Sequence, residues 1–233
     1  MKKVYGVNPV KELIKSGKPI TRIEIYKNVN RQSNEELFAL AKKRNIEIKF
    51  VDRKEDNSQG FVAIIENYSY LVDEAEFLEK LVRKKNSIVI ILDRIQDPRN
   101  LGAIIRSAEA FGVDGIVLSD KKSVGITPSV IKTSTGAIEF VDIIVTRNLN
   151  NFVASLKKID FWIYGAEAGT GNRYYDIDFS PKSCLVLGSE GAGIRKKLKN
   201  NCDVLMEIPL KGKINSLNVS VAGGVLLSEI SKK

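Results

Sequence analysis

Ser87-Ile88-Val89-Ile90-Ile91-Leu92, followed across a short connection by Asp97-Pro98-Arg99-Asn100-Leu101-Gly102-Ala103-Ile104-Ile105-Arg106, is the stretch from which the fold class can be read. The first run is continuously apolar and rich in β-branched residues, the pattern of a strand buried on both faces. The second opens a helical pattern over Asn100–Phe111. The same alternation continues down the chain. Further strand candidates are Gly115–Leu118, Val141–Val145, Phe161–Tyr164, Cys184–Leu187 and Val204–Ile208. Helical patterns follow or separate them at Ser129–Ala137, Leu149–Ile159, Arg195–Lys199 and Ser216–Ile230. Apolar strands alternating with helices predict an α/β domain with a mostly parallel sheet covered on both faces.

Upstream, the pattern describes a smaller α/β unit. Asn8-Pro9 reads as an N-cap with proline in the first turn, and Gly17 is placed to end that helix. Ile23–Tyr26 alternates as a strand. Ser33 with Glu36 forms a capping-box pattern ahead of Leu37, Leu40 and Ala41. Ile46–Val51 alternates again, Phe61–Ile65 is a continuous strand candidate, and turn formers stand at Asn57–Gly60 and Asn67–Asp73. Asp73–Lys85 reads as a charged, exposed joining helix. The expected division is residues 1–70, a joining segment 71–86, and residues 87–233.

Composition narrows the chemistry. The 233 residues are 43% hydrophobic and 28% charged, as in ordinary globular proteins. The longest apolar run, Ile88 to Leu92, is too short to cross a bilayer, and no apolar h-region follows Lys2-Lys3. Two cysteines, Cys184 and Cys202, provide neither a disulfide framework nor a paired metal spacing, so a reducing cytoplasm is expected. The chain has no histidine, which excludes His-based triads and His metal sites. Its net charge of +9 suits a polyanionic partner, although charge alone equally fits a chain from a lysine-rich proteome. Residues 1–70 are the more basic part per residue.

Three segments lie at predicted strand ends, where open α/β sheets hold their ligands. Leu187-Gly188-Ser189-Glu190-Gly191-Ala192-Gly193 places glycines, and a carboxylate, at a strand-to-helix junction. Its spacing matches neither the dinucleotide fingerprint nor a P-loop. Asp97–Arg106 carries Asn100 and Arg106, and Arg106 could form an ion pair with Glu109 or Asp114. Ile208-Pro209-Leu210 followed by Ser216-Leu217-Asn218-Val219-Ser220 ends a strand and can cap the last helix. Singly, each has a structural explanation as a turn, an ion pair or a cap. The second glycine cluster, Gly165–Gly171, is expected to be a loop.

Taken in order, Asp97-Pro98-x-Asn100-x-Gly102-x-x-x-Arg106, Gly188-x-Glu190-Gly191-x-Gly193 and Ile208-Pro209…Ser216-Leu217-Asn218-Val219 resemble the SpoU (TrmH-type) family of RNA ribose methyltransferases in the SPOUT superfamily. The likeness runs through about residues 87–231. Before it, Tyr5-Gly6-x-x-Pro9-Val10-x-Glu12 and Gln59-Gly60-Phe61-Val62-Ala63 resemble the small RNA-binding domain of the large-subunit rRNA branch. That branch often has His before the Gln-Gly pair, where this chain has Ser58.

The resemblance implies a deep C-terminal trefoil knot, a homodimer, and S-adenosylmethionine held against the backbone of the knot's loops. The matching positions are Gly188, Ile208 and Leu217, with Ser189, Gly191, Pro209 and Asn218 nearby and Thr133 and Gly136 in the same pocket. It also implies ribose 2′-O-methylation of structured RNA, with a guanosine of 23S rRNA as the expected target and tRNA as the alternative. Arg106, Asn100, Glu190, Ser216 and Asn218 would carry that chemistry, without metal or membrane. Two other classes stay open: an RNA-binding or ribosome-assembly factor that retains the fold without catalysis, and a nucleotide-dependent α/β enzyme, which the missing phosphate fingerprint disfavours.

Overall fold

Six strands run parallel in one sheet: β5 (Ser87–Asp93), β6 (Gly115–Ser119), β7 (Asp142–Thr146), β8 (Trp162–Ala166), β9 (Lys182–Gly188) and β10 (Val204–Met206). The computed structural model describes residues 2–53, 55, 58–66, 69–213 and 216–232. The order is β10-β8-β9-β5-β6-β7, with β5 paired to β9 from Ser87↔Lys182 through Asp93↔Gly188. This central position explains the unbroken apolar run in β5, because both of its faces are covered. Ile90 and Leu92 pack towards α4 (Pro98–Ala110) and α8 (Val219–Ile230), and Val89 and Ile91 towards α3 (Glu74–Val82) and α6 (Leu149–Lys157). Since all six strands run the same way, their C-terminal ends form a single edge.

The ends of the helices on that edge are defined by local hydrogen bonds. The Asp97 side chain accepts from Arg99 N at 2.7 Å and Pro98 occupies the first turn, which fixes the start of α4. The Asn218 side chain caps α8, so that helix begins at Val219 rather than at Ser216. The short helix α5 (Pro128–Thr133) stops before Ala137 and lies on α4, where a Cβ added to Gly102 would sit 2.5 Å from Thr133 Cβ.

The second sheet has order β1-β4-β2-β3, from β1 (Lys2–Tyr5), β2 (Arg22–Tyr26), β3 (Ile48–Val51) and β4 (Phe61–Ile65). Its helices are α1 (Val7–Lys15) and α2 (Glu35–Lys43). The four-residue β1 has no counterpart among the expected strands. It is specified by pairing with β4, a contact between residues about sixty positions apart. Helix α1 starts earlier than Asn8-Pro9 suggests, with Gly6 as its cap at φ 101, a conformation that favours glycine. The capping box does not form either. Ser33 Oγ donates to Asn30 O, and no side chain caps α2. Ser58 tightens its turn, accepting from Gly60 N at 3.0 Å. The turn residues expected at Asn57 and Asn67 lie outside the described residues.

Helix α3 is exposed along most of its length, as its charges suggest, but one face is anchored. Phe77 and Leu81 are buried in the core beneath the six-stranded sheet, and Gly115 leaves room for the Phe77 ring. The two sheets meet through hard contacts. Lys18 Nζ pairs with the buried Glu139 carboxylate at 3.0 Å, and a Cβ on Gly136 would come within 2.5 Å of Glu12 Cβ on α1. Among the described residues no helix is long and apolar enough to cross a membrane.

Candidate active site

At the C-terminal ends of β8, β9 and β10 lies a cavity of about 450 Å³. Its wall is the turn that leaves β9. Ser189 and Gly193 bridge each other, with Gly193 N donating to Ser189 O at 2.9 Å. The turn folds back so closely that a Cβ on Gly188 would lie 2.1 Å from the Gly193 carbonyl carbon. Only glycine leaves that space open. Gly191 (φ 82) and Gly193 (φ 60) supply the left-handed conformations that the reversal needs.

A buried carboxylate holds the exit of this turn. Asp93, fully buried at the end of β5, accepts from Arg195 N at 2.9 Å and from Arg195 Nε at 2.8 Å. Removing it leaves a donor unsatisfied and the loop untied. We expect Asp93→Ala to destabilise the fold by about 2–4 kcal/mol in chemical denaturation. A loss below about 1 kcal/mol, the net worth of an ordinary hydrogen bond, would show that the tie is inert.

Beside the cavity three side chains from distant parts of the chain form one network. Glu190 Oε1 accepts from Asn100 Nδ2 at 3.0 Å and from Asn218 Nδ2 at 2.9 Å. Asn218 Nδ2 also lies 3.0 Å from Asn100 Oδ1, while its own Oδ1 accepts from Ser220 N and Ser220 Oγ. The start of α4, the turn after β9 and the cap of α8 thus meet at one carboxylate. Each segment has a structural role on its own, yet their convergence beside a cavity is what a functional site requires.

The segments that carry these residues match known families. Residues 87–228 match the profile of the SpoU rRNA Methylase family, and residues 3–71 match that of the RNA 2′-O ribose methyltransferase substrate-binding domain. The chain belongs to the SpoU family. A TrmH-family tRNA/rRNA methyltransferase of Staphylococcus haemolyticus is 37% identical over 99% of this chain and 95% of its own length. An AdoMet-bound rRNA methyltransferase from Sinorhizobium meliloti superposes with a TM-score of 0.79 at 24% identity, covering 99% of this chain and 86% of the other. The TrmH/SpoU tRNA-modifying enzyme of A. aeolicus covers 68% of this chain and 83% of its own, at 26% identity and TM-score 0.57.

Within this SpoU domain most of the residues anticipated for the site lie at or beside the cavity. Gly188, Ser189, Glu190, Gly191, Ile208, Ser216 and Leu217 line it, with Pro209 and Asn218 adjacent in the chain. Thr133 and Gly136 do not. Thr133 is packed on Gly102 of α4 and Gly136 on α1, so both serve packing against helices. Arg106 is exposed on α4, roughly 120° around the helix from Asn100. It makes no hydrogen bond or ion pair with another described residue. The pairing with Glu109 or Asp114 does not form, and the Asp114 carboxylate is engaged by Lys84 and Ser87.

The loop after β8 also contributes lining residues, Ala166, Glu167 and Ala168. Its glycine-rich composition alone did not mark it, but its place at a parallel strand end could have. Both thiols sit where burial disfavours the thiolate. Burial pushes the Cys202 thiol up to about 12, with the Asp203 charge adding to the effect, and burial raises the Cys184 thiol as well.

Proposed function

We propose that this chain transfers a methyl group from S-adenosylmethionine to a ribose 2′-hydroxyl of structured RNA, with a guanosine of 23S rRNA as its target. The reading rests on the Asn100–Glu190–Asn218 network beside the cavity. The residues fit the cofactor. The volume lies within the range of small-ligand pockets, and the missing Cβ at Gly188 opens backbone to close approach. Gly188, Ser189, Gly191, Ile208, Pro209 and Leu217 would hold it mainly through main-chain groups. The bound cofactor supplies an already activated methyl group, so orientation and proton removal are left to the protein.

Asn100, held by Glu190, positions the ribose, and Asn218 and Ser216 complete the site. Arg106 clamps the target phosphate and stabilises charge developing on the 2′-oxygen. A guanidinium stays protonated, so it acts as a clamp and not as the base. Residues 1–70 select the RNA and residues 87–233 carry out the transfer, joined by residues 71–86. Support for rRNA comes from coverage. The S. meliloti rRNA enzyme covers 99% of this chain, whereas the A. aeolicus tRNA enzyme leaves about a third of it without a counterpart. We also assign a trefoil knot around the cavity loops, a homodimer and a cytoplasmic setting. The apolar exposure of Leu217 and Val221 at the α8 end is consistent with a subunit contact.

Labelled S-adenosylmethionine incubated with the protein and RNA from a strain lacking its gene is expected to yield 2′-O-methylguanosine in the 23S fraction after nuclease digestion and mass spectrometry. Label in tRNA alone would move the substrate. No label in any RNA would leave a non-catalytic RNA-binding protein.

A further inference from the structure

The chain carries a net charge of +9, yet among the described residues no lysine or arginine lines its cavity. Three glutamates do: Glu167, Glu190 and Glu207. Such a wall repels phosphate and favours a cation, the opposite of the molecule's overall charge. Of the three, Glu190 already receives both asparagine amides on one oxygen. Glu207 lies at the edge strand, its backbone tied to Asn172 and Tyr174.

Glu167 is placed differently. It directly follows β8, and its N–H donates to Met206 O at 2.9 Å, which fixes the backbone. Its Oε1 is anchored by Lys199 Nζ at 2.7 Å. Its Oε2 accepts from no described residue and lies 3.4 Å from the position a Cβ would take on Gly193, against the glycine turn. One oxygen is therefore secured, while the other lies beside Gly193 in the turn that forms the cavity wall. Lys199 screens the carboxylate without replacing an interaction on the inner side.

We propose that Glu167 is the counter-ion for the sulfonium of the cofactor, so that the cavity distinguishes S-adenosylmethionine from its demethylated product by charge. The inference rests on the reading that this cavity takes S-adenosylmethionine. When the methyl carbon bonds to the ribose oxygen, the broken C–S bond leaves its electron pair on sulfur, which becomes neutral. The attraction to Glu167 then vanishes, and the product is held less tightly than shape alone would dictate. Because the sulfur charge is already declining in the transition state, Glu167 stabilises the bound substrate more than the transition state. Its removal raises KM for the cofactor and leaves kcat unchanged or higher.

Titration calorimetry on the full chain separates these effects. Glu167→Gln is expected to weaken S-adenosylmethionine binding about tenfold while changing S-adenosylhomocysteine binding less than about twofold. Lys199→Met, which breaks the same ion pair from the other side, is expected to leave S-adenosylmethionine binding unchanged or tighter. Equal weakening of both ligands by Glu167→Gln, or no change in either, overturns the proposal, as does a Lys199→Met protein that behaves like Glu167→Gln. A wild-type protein that binds neither ligand removes the cofactor reading itself, a failure distinct from an unchanged ratio in the variant.

Discussion

Replacing Arg106 with alanine is expected to lower kcat by about a thousandfold while the affinity for S-adenosylmethionine stays within about twofold. The side chain is exposed and touches no described polar partner, so its loss removes no part of the fold's own hydrogen bonding. Stability should remain within about 0.5 kcal/mol of wild type, as for other surface substitutions. That separation makes the experiment decisive, because a drop in rate cannot then be ascribed to unfolding. Lysine is expected to restore little, since a point charge cannot reproduce the planar fork that a phosphate receives from arginine. Single-turnover kinetics with the target RNA, beside calorimetry with the cofactor, measures both quantities. Near-normal turnover in the alanine variant would remove Arg106 from the chemistry.

The second large effect falls on cofactor binding. Gly188→Ala forces a methyl group to within 2.1 Å of the Gly193 carbonyl carbon and 2.3 Å of Ile194 N. Both are backbone atoms of the turn, pinned beyond Ile194 by the Asp93–Arg195 tie, so no side-chain rotation relieves the clash. The turn must open, and with it the wall of the cavity. Affinity for S-adenosylmethionine is expected to fall at least about a hundredfold, with Tm lowered by several degrees. Gly191→Ala is the control. Nothing lies within 4 Å of its added Cβ, and only its positive φ opposes the change, at about 1 kcal/mol. If the two variants bind the cofactor alike, the close approach at Gly188 has no bearing on the site.

Much of this was legible in the chain. The runs Ser87–Leu92 and Cys184–Leu187 announced central strands because burial on both faces leaves no polar alternation. Asn100, Glu190 and Asn218 come together as a set only through the resemblance to the SpoU family, since each alone reads as a turn or cap residue. What the sequence does not display are meetings between distant segments. Asp93 looks like an ordinary strand-end aspartate until Arg195, 102 residues away, is brought to it. Glu167 gave no local sign, and its exposure to the cavity follows from the parallel register of β8 with β9 and β10. The charges of α3 mark its solvated face correctly, while the anchoring of its other face by Phe77 and Leu81 is visible only in the fold. Thr133 and Gly136 pack on α4 and α1, and small residues suit tight packing as well as ligand contact.

The contact between Gly136 and Glu12, with Lys18 paired to Glu139 beside it, bears on how a target is chosen. Two units joined by a tether would search a volume. Two units that abut at a glycine, with no space for a methyl group, hold a set span, as the jaws of a locked caliper do. On the proposed reading, in which the small sheet grips the RNA, only riboses that lie at that span reach the cavity. Under that proposal, selection rests on length and angle in the folded RNA, and the bases around the target need not be read one by one.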